Sequence, residues 1–443
     1  MKSKLLLPLF LGLALLFGGL GMNKAYADHI SAIDFYADYI GTGPNDMKYR
    51  VTFVLYRICV GPNLQLGDRY GTTTVSIPSM SWSKNLDPVS VLHDDGKGNM
   101  VMEDTLDYLC PEFSKINSCR VMANTAYSGY TRRFYVDTVT VPYRSNDLTF
   151  SWTACCRLSA YTNIDGLASA SFWVQCGINN IAKYDNSTPR YNSLPFTFSC
   201  VNQPTSLSNV PIDPNGDSLY TYKIDANTTD GNTFVTFLPG FTSALPTGIG
   251  GAYSVGPVSG KASFTATSPG RYVLAYRTRD YDRNTKELLG YASRDLTITV
   301  LPCTNLPPYI DSIPQGVTGV KKVDITGGEV VLLACPQAPL NFTVNSHSNN
   351  PDGRIYMYPA STLPPGMTIV PTVTGGTAYA TVNWNPTAAD IGTHIVSIIA
   401  VDSTCALGQE ITLRNEFTFT VDVRPAFDAG PDLLGCRRPS VEA

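Results

Sequence analysis

An all-β fold is what this sequence predicts, with a cysteine-rich β-module first and tandem β-sandwiches after it. Three observations predict it. Strand formers are abundant, 25 Tyr and 18 Phe beside many Val and Thr, and their branched or aromatic side chains suit a pleated, half-buried surface. Turn formers punctuate the chain, 36 Gly and 31 Pro, each supplying backbone angles that other residues resist. Apolar residues alternate over strand-length segments, and no helical period of useful length appears.

Residues 1–27 read as a signal peptide. Lys2 and Lys4 give a positive start, Leu5 to Leu20 an apolar core, and Ala25-Tyr26-Ala27 the small residues a signal peptidase needs. A retained anchor is the competing reading, but Pro8 and several glycines break the run. No Cys stands at the cleavage point, which argues against a lipid-modified N-terminus. Later stretches fall short of 18 consecutive apolar residues, so the mature chain has no predicted transmembrane segment. The net charge of −4 and the 15% of charged residues include no basic run that would favour nucleic acid or an anionic membrane.

Residues 28–200 read as the cysteine-rich β-module. Tyr49, Val51, Phe53 and Leu55 alternate with Arg50, Thr52 and Val54, the period of a half-buried strand ending at Cys59. Phe134 to Val141 and Ala168 to Cys176 are further strand candidates, and His93 to Asn99 is a polar hairpin tip or loop. A different rhythm fills 201–303. The turn cluster Asp213-Pro214-Asn215-Gly216-Asp217 leads into alternating apolar residues, then Leu238-Pro239-Gly240, Phe264, and the strands Tyr272 to Asp280 and Leu296 to Val300. Residues 304–424 repeat the plan with Pro351-Asp352-Gly353, Leu363-Pro364-Pro365-Gly366, Ala380 to Trp384 and His394 to Asp402. Asp280 and Asp402 stand 122 residues apart. A repeat of about seven strand-sized segments is the pattern of tandem immunoglobulin-like sandwiches. Residues 425–443 form a tail, read as the start of a further repeat.

Eleven cysteines are spread along the chain. Export makes disulfides the leading reading for Cys59, Cys110, Cys119, Cys155, Cys156, Cys176, Cys200, Cys303, Cys335 and Cys405. Cys436 is left over by the odd count. A zinc site is disfavoured, because no C-x-x-C pair exists and only four histidines are present.

Several segments carry a family likeness. Asp28-His29-Ile30, Ile33-Asp34-Phe35-Tyr36, Tyr49 to Phe53, Leu55 to Cys59, Trp152 to Arg157, Cys200 to Pro204 and Asp213 to Leu219 together resemble the start of large exported surface proteins of Bacteroidota. The later module resembles the immunoglobulin-like or cadherin-like repeats of such proteins, and Phe427 to Asp432 is similar to the opening of PKD-type repeats. The resemblance implies a cell-surface protein linked to gliding motility or adhesion, often exported by type IX secretion. The C-terminal sorting domain usual in such proteins is not in this sequence.

The candidate chemistry is acidic. Asp213, Asn215 and Asp217 set oxygen donors at alternate positions of a Gly-containing turn, which suits Ca²⁺. Asp280 and Asp282 end a later strand, and Asp352 and Asp402 hold comparable places in the second repeat. The other reading is Asx-turns, in which these side chains accept backbone N–H groups. The adjacent Cys155-Cys156 pair suggests two structural bridges rather than a catalytic thiol. No G-x-S-x-G, H-E-x-x-H or P-loop motif is present, and the paired Asp94-Asp95 alone does not define a glycosidase. Tyr127, Tyr130, Tyr135 and Tyr143 with Arg132 and Arg133 are a candidate contact surface, or simply a strand with half its residues inward. The expectation is a non-catalytic structural or adhesion protein, secreted or held at the outer-membrane surface, with a surface protein or glycan as partner. A carbohydrate-binding or carbohydrate-processing exoprotein is the alternative.

Overall fold

The computed structural model describes residues 30–425 apart from 60–69, 96–97, 107, 122–128, 156, 158–160, 167–170, 196–197, 312, 327–328, 351–352 and 404–410. The signal peptide and the tail from 426 onward therefore lie outside the described residues, as do Asp352, Cys156, Cys405, Cys436 and Tyr127.

The first body is a sandwich. Strands Ile30–Tyr39, Lys48–Cys59 and Gly129–Thr140 lie side by side, antiparallel, and face the antiparallel strands Thr72–Ile77, Leu148–Cys155 and Ser171–Ile178. Alternation puts Phe35, Phe53, Tyr135, Phe150, Trp152 and Phe172 between the layers, each fully buried. Phe53 and Tyr135 stack with ring centroids 4.5 Å apart. The hairpin read at His93 to Asn99 is present, with His93 and Asp94 paired to Val101 and Met100.

Strand Lys48–Cys59 departs from the half-buried expectation. Tyr49, Val51, Phe53 and Leu55 face the first core. Val54, Tyr56 and Ile58 face a second, made with Tyr272, Tyr276, Leu296 and Ile298. Both faces of the strand are covered because its sheet is the middle layer between two cores. For the same reason the division expected at residue 200 is not where the chain separates. Strand Leu288–Leu301 is 14 residues long, about 46 Å at the usual rise. One edge pairs along its length with Gly270–Tyr281. The other serves in turn Ser171–Ile178 (Cys176 opposite Ala292), Ile30–Tyr39 (Ile33 opposite Asp295) and, in parallel, Phe198–Cys200. Residues 30–301 are one sheet-linked body.

Buried ion pairs mark this seam. Arg294 Nε and Nη2 donate to the two Asp34 carboxylate oxygens at 2.6 and 2.8 Å. Arg157 Nη1 donates to Asp295 Oδ1 at 2.8 Å. Both guanidiniums are fully desolvated, a costly state that only bidentate geometry and further hydrogen bonds offset. Such groups fix the register of strands that meet across 260 residues of sequence.

The immunoglobulin-like order appears twice. In the last body, Gln315–Thr318, Leu340–His347, Thr377–Trp384 and Thr368–Thr374 form one sheet. Glu329–Ala334, Leu413–Val423, Gly392–Asp402 and Ile355–Pro359 form the other, with Glu329–Ala334 parallel to Leu413–Val423. This is the order of an immunoglobulin sandwich with a split first strand. The preceding unit repeats it: Phe198–Cys200 runs parallel to Leu288–Leu301, followed by Gly270–Tyr281 and Ser218–Lys223. Its facing sheet is Thr205–Leu207, Ala262–Thr265 and Ala252–Val255. Gly270 and Gly392 open the equivalent strands at φ of 144° and 147°, angles that only glycine adopts freely.

Disulfides join Cys59 to Cys119 and Cys200 to Cys303, and Cys110, Cys155 and Cys335 are also disulfide-bonded. Cys176 is not: it is a free thiol on the inward face of Ser171–Ile178. The alternation that buries Phe172 and Val174 buries it too, so it behaves as a small apolar residue. The last body docks on the rest through Ser208 N to Glu416 Oε2 at 2.6 Å, Ser259 N to Glu329 Oε1 at 2.7 Å, and apolar contact of Ile411 and Leu413 around Cys200.

Candidate metal centre

Three of the acids singled out in the sequence meet in space. Asp213, Asp217 and Asp280 each bring a carboxylate oxygen within 4.8 Å of the other two. The turn supplies the first two, and the end of Gly270–Tyr281 supplies the third. The turn is itself an Asx-turn: Asp213 Oδ1 accepts from the amides of Asn215 at 2.8 Å and Asp217 at 2.9 Å. Both sequence readings thus describe the same residue, because Asp213 Oδ2 is buried without a hydrogen-bond partner.

Asp280 is the deepest member, 0% exposed. Its Oδ2 accepts from Asn186 Nδ2 at 2.7 Å, while its Oδ1 and the Oδ1 of Asn186 have no partner. Three buried oxygens with open lone pairs are costly without a cation or proton. Burial, with the charge of Asp213 added, pushes the Asp280 carboxyl up to about 8. Burial, with Asp217 nearby, pushes Asp213 up to about 6. Lys183 Nζ donates to Asp217 Oδ2 at 2.7 Å and offsets one charge of the three. An all-oxygen set of carboxylates and an amide is the donor type of Ca²⁺ rather than of a soft metal. Gly290 makes room: a Cβ there would come within 2.9 Å of Asp280 Oδ1.

The remaining candidates lie elsewhere. Asn215 turns away, accepting from Ser187 N and donating to Asp185 O. Asp282 caps its own turn through the amides of Asn284 and Thr285. Asp402 is buried and accepts from Ser348 Oγ and Asn350 Nδ2 at 2.6 and 2.8 Å. The tyrosine-rich segment is mostly structural: Tyr130 and Tyr135 are buried, Arg132 pairs with Asp104, and Tyr143 is exposed. Asp95 accepts from Asn99 across its hairpin. Asn186 and Lys183 were not singled out in the sequence. The polar run Asn179-Asn180 to Asn186-Ser187-Thr188 was their only signal.

The turn also joins two bodies. Arg283 Nε donates to Gly216 O and its Nη2 to Thr393 Oγ1 of the last sandwich at 3.3 Å. Asp213 to Gly216 line a cleft of about 1020 Å³ together with Pro359 to Pro364 and Ile391 to Ile395.

No family model matches the chain. A 113-residue stretch is 32% identical to integrin beta-like protein C of Dictyostelium discoideum, covering 25% of this chain and 5% of that protein. Among solved structures, an I-band fragment of titin is similar at 9% identity, over 90% of this chain and 99% of that one, with a TM-score of 0.16. The Dpr2 immunoglobulin domains in complex with DIP-Theta are similar at 10% identity, over 89% and 99%, with a TM-score of 0.17. Among the described residues no helix is long and apolar enough to cross a membrane. Disulfides in immunoglobulin-like bodies are consistent with an oxidising, extracellular setting.

Proposed function

We propose that this chain is a non-catalytic extracellular protein of adhesion type, exported and held at the cell surface, whose bodies are braced by a calcium ion at Asp213, Asp217, Asp280 and Asn186. The observation that carries it is the position of the acidic turn. The turn supplies two of the cluster's three acids, its residues Asp213 to Gly216 line the cleft, and its Gly216 carbonyl accepts from Arg283, which also donates to Thr393. A cation there would neutralise the excess carboxylate charge and stiffen the joint, as an adhesin under shear requires. The likeness to Bacteroidota surface proteins supports surface attachment or gliding as the setting.

The test is attachment under flow. Beads coated with the mature chain should be retained on polymer, protein or polysaccharide surfaces in millimolar Ca²⁺, and released by chelator. Melting of the same protein should rise with Ca²⁺, since a ligand that binds only the folded state at a hundred times its Kd adds about 2.7 kcal/mol. Retention no better than that of albumin-coated beads on every surface would sink the adhesion reading. An unmoved melting temperature would remove the calcium brace.

A further inference from the structure

We propose that the outer face of the sheet from Ser218–Lys223 to Thr72–Ile77 is a platform for an acidic polysaccharide, a reading that rests on the adhesion function above and gives it a ligand class. The face is a continuous row across six antiparallel strands. Tyr220 stands opposite Arg279, Arg279 opposite Tyr291, Tyr291 opposite Gly177, Gly177 opposite Thr149, and Thr149 opposite Ser76. At the normal strand spacing the row is about 24 Å long. That suits an extended polymer better than a small ligand held in a cleft.

One half of the row is built for anions. The Arg279 guanidinium lies 5.1 Å from the Tyr222 ring centroid, and Arg277 lies 4.6 Å from that of Tyr291. Arg277 Nε is further held by Ser293 Oγ at 3.1 Å. Tyr291 packs directly on Gly177, where a Cβ would come within 2.5 Å of its ring. Elsewhere Arg50, Arg57, Arg132, Arg157 and Arg294 each pair with a carboxylate. Among the described residues Arg277 and Arg279 make no ion pair. Two guanidiniums held beside tyrosine rings, neither of them neutralised by a carboxylate, are complementary to carboxylate or sulfate groups.

The other half of the face is built for hydroxyls. Thr149 and Ser76 continue the row, flanked by Ser151 opposite Gln175 and by Thr74 bonded to Asn85. These uncharged donors and acceptors match sugar hydroxyls. Tyr220, 50% exposed, offers a ring at the end of the row on which a sugar can stack. Taken together the two halves call for a ligand that is both anionic and hydroxyl-rich.

The test measures binding of the mature chain to polygalacturonate, to neutral dextran and to poly-glutamate at fixed ionic strength. Polygalacturonate alone should bind. Arg277→Gln with Arg279→Gln should lower its affinity at least tenfold with unchanged melting, and Arg277→Lys with Arg279→Lys should restore little because the fork is lost. Tyr220→Ala, an exposed change that spares the fold, should weaken binding severalfold. No binding to polygalacturonate, equal binding to poly-glutamate or dextran, or full affinity in both double variants would each overturn the proposal. Beads that hold to surfaces while polygalacturonate fails to bind would leave the adhesion function standing and remove only this ligand.

Discussion

At the scale of single residues, the candidate centre depends on a missing side chain as much as on those present. Gly290 sits against Asp280 Oδ1 and the Gly177 carbonyl, and a Cβ would approach them to 2.9 and 2.7 Å. Backbone cannot yield there as a flexible side chain could. Gly290→Ala should therefore destabilise the protein by about 1–3 kcal/mol, the usual cost of overpacking, and blunt the rise in melting temperature with Ca²⁺. Thermal melts with and without the ion check both effects, and a variant as stable and as responsive as the parent would refute the crowding. The acids of this centre were legible because Asp213, Asn215 and Asp217 alternate in a turn and Asp280 ends a strand. Asn186 was not, since an asparagine in a polar run looks like any other turn residue until a strand end 94 residues later is placed beside it. Cys176 was expected in a bridge for a related reason: nothing in its local sequence marks its thiol as a free one buried in the core.

At the scale of elements, strand period was legible and strand neighbours were not. The alternation in Lys48–Cys59 reveals one buried face; the second is covered by residues more than 200 positions away, which no local pattern encodes. The joint between bodies has the same character and carries a pH dependence. Glu416 accepts from Ser208 N across it. Burial pushes the Glu416 carboxyl up to about 7, outweighing that hydrogen bond and the attraction of Arg414 and Arg294. The folded chain thus keeps a proton that the unfolded chain releases near pH 4.3. The stability tied to it is full below that value and is lost as pH rises through about 7. Hydrogen exchange at the Ser208 amide should be slower at pH 5 than at pH 8 after correction for intrinsic rate. Glu416→Gln should flatten the difference; an unchanged pH profile in that variant would assign the effect to another group.

At the scale of the whole molecule, the repeat of sandwiches was legible from turn chemistry and the 122-residue offset, whereas the merger of the first two bodies was not. A sequence shows that Leu288–Leu301 is a strand, but not that its free edge completes a sheet begun at Ile30. The merger has a direct consequence for folding. A fragment of residues 28–200 would lack the strand that pairs with Ile30–Tyr39 and Ser171–Ile178. It would also lose the Arg294 partner of Asp34 and expose Val54, Tyr56 and Ile58 on the same face. Leaving such apolar side chains in water forfeits about 1.5–3 kcal/mol each, together a large share of the 5–15 kcal/mol that stabilises a typical domain. The 28–200 fragment should then show no cooperative melt, while residues 28–303 should melt in one transition. Arg294→Met in the longer fragment should lower that transition without splitting it, because the pair lies inside one cooperative unit. Calorimetry of the three proteins decides the matter: a sharp, reversible transition in residues 28–200 would mean that the first sandwich folds alone and that the shared strand is an interface, not a seam.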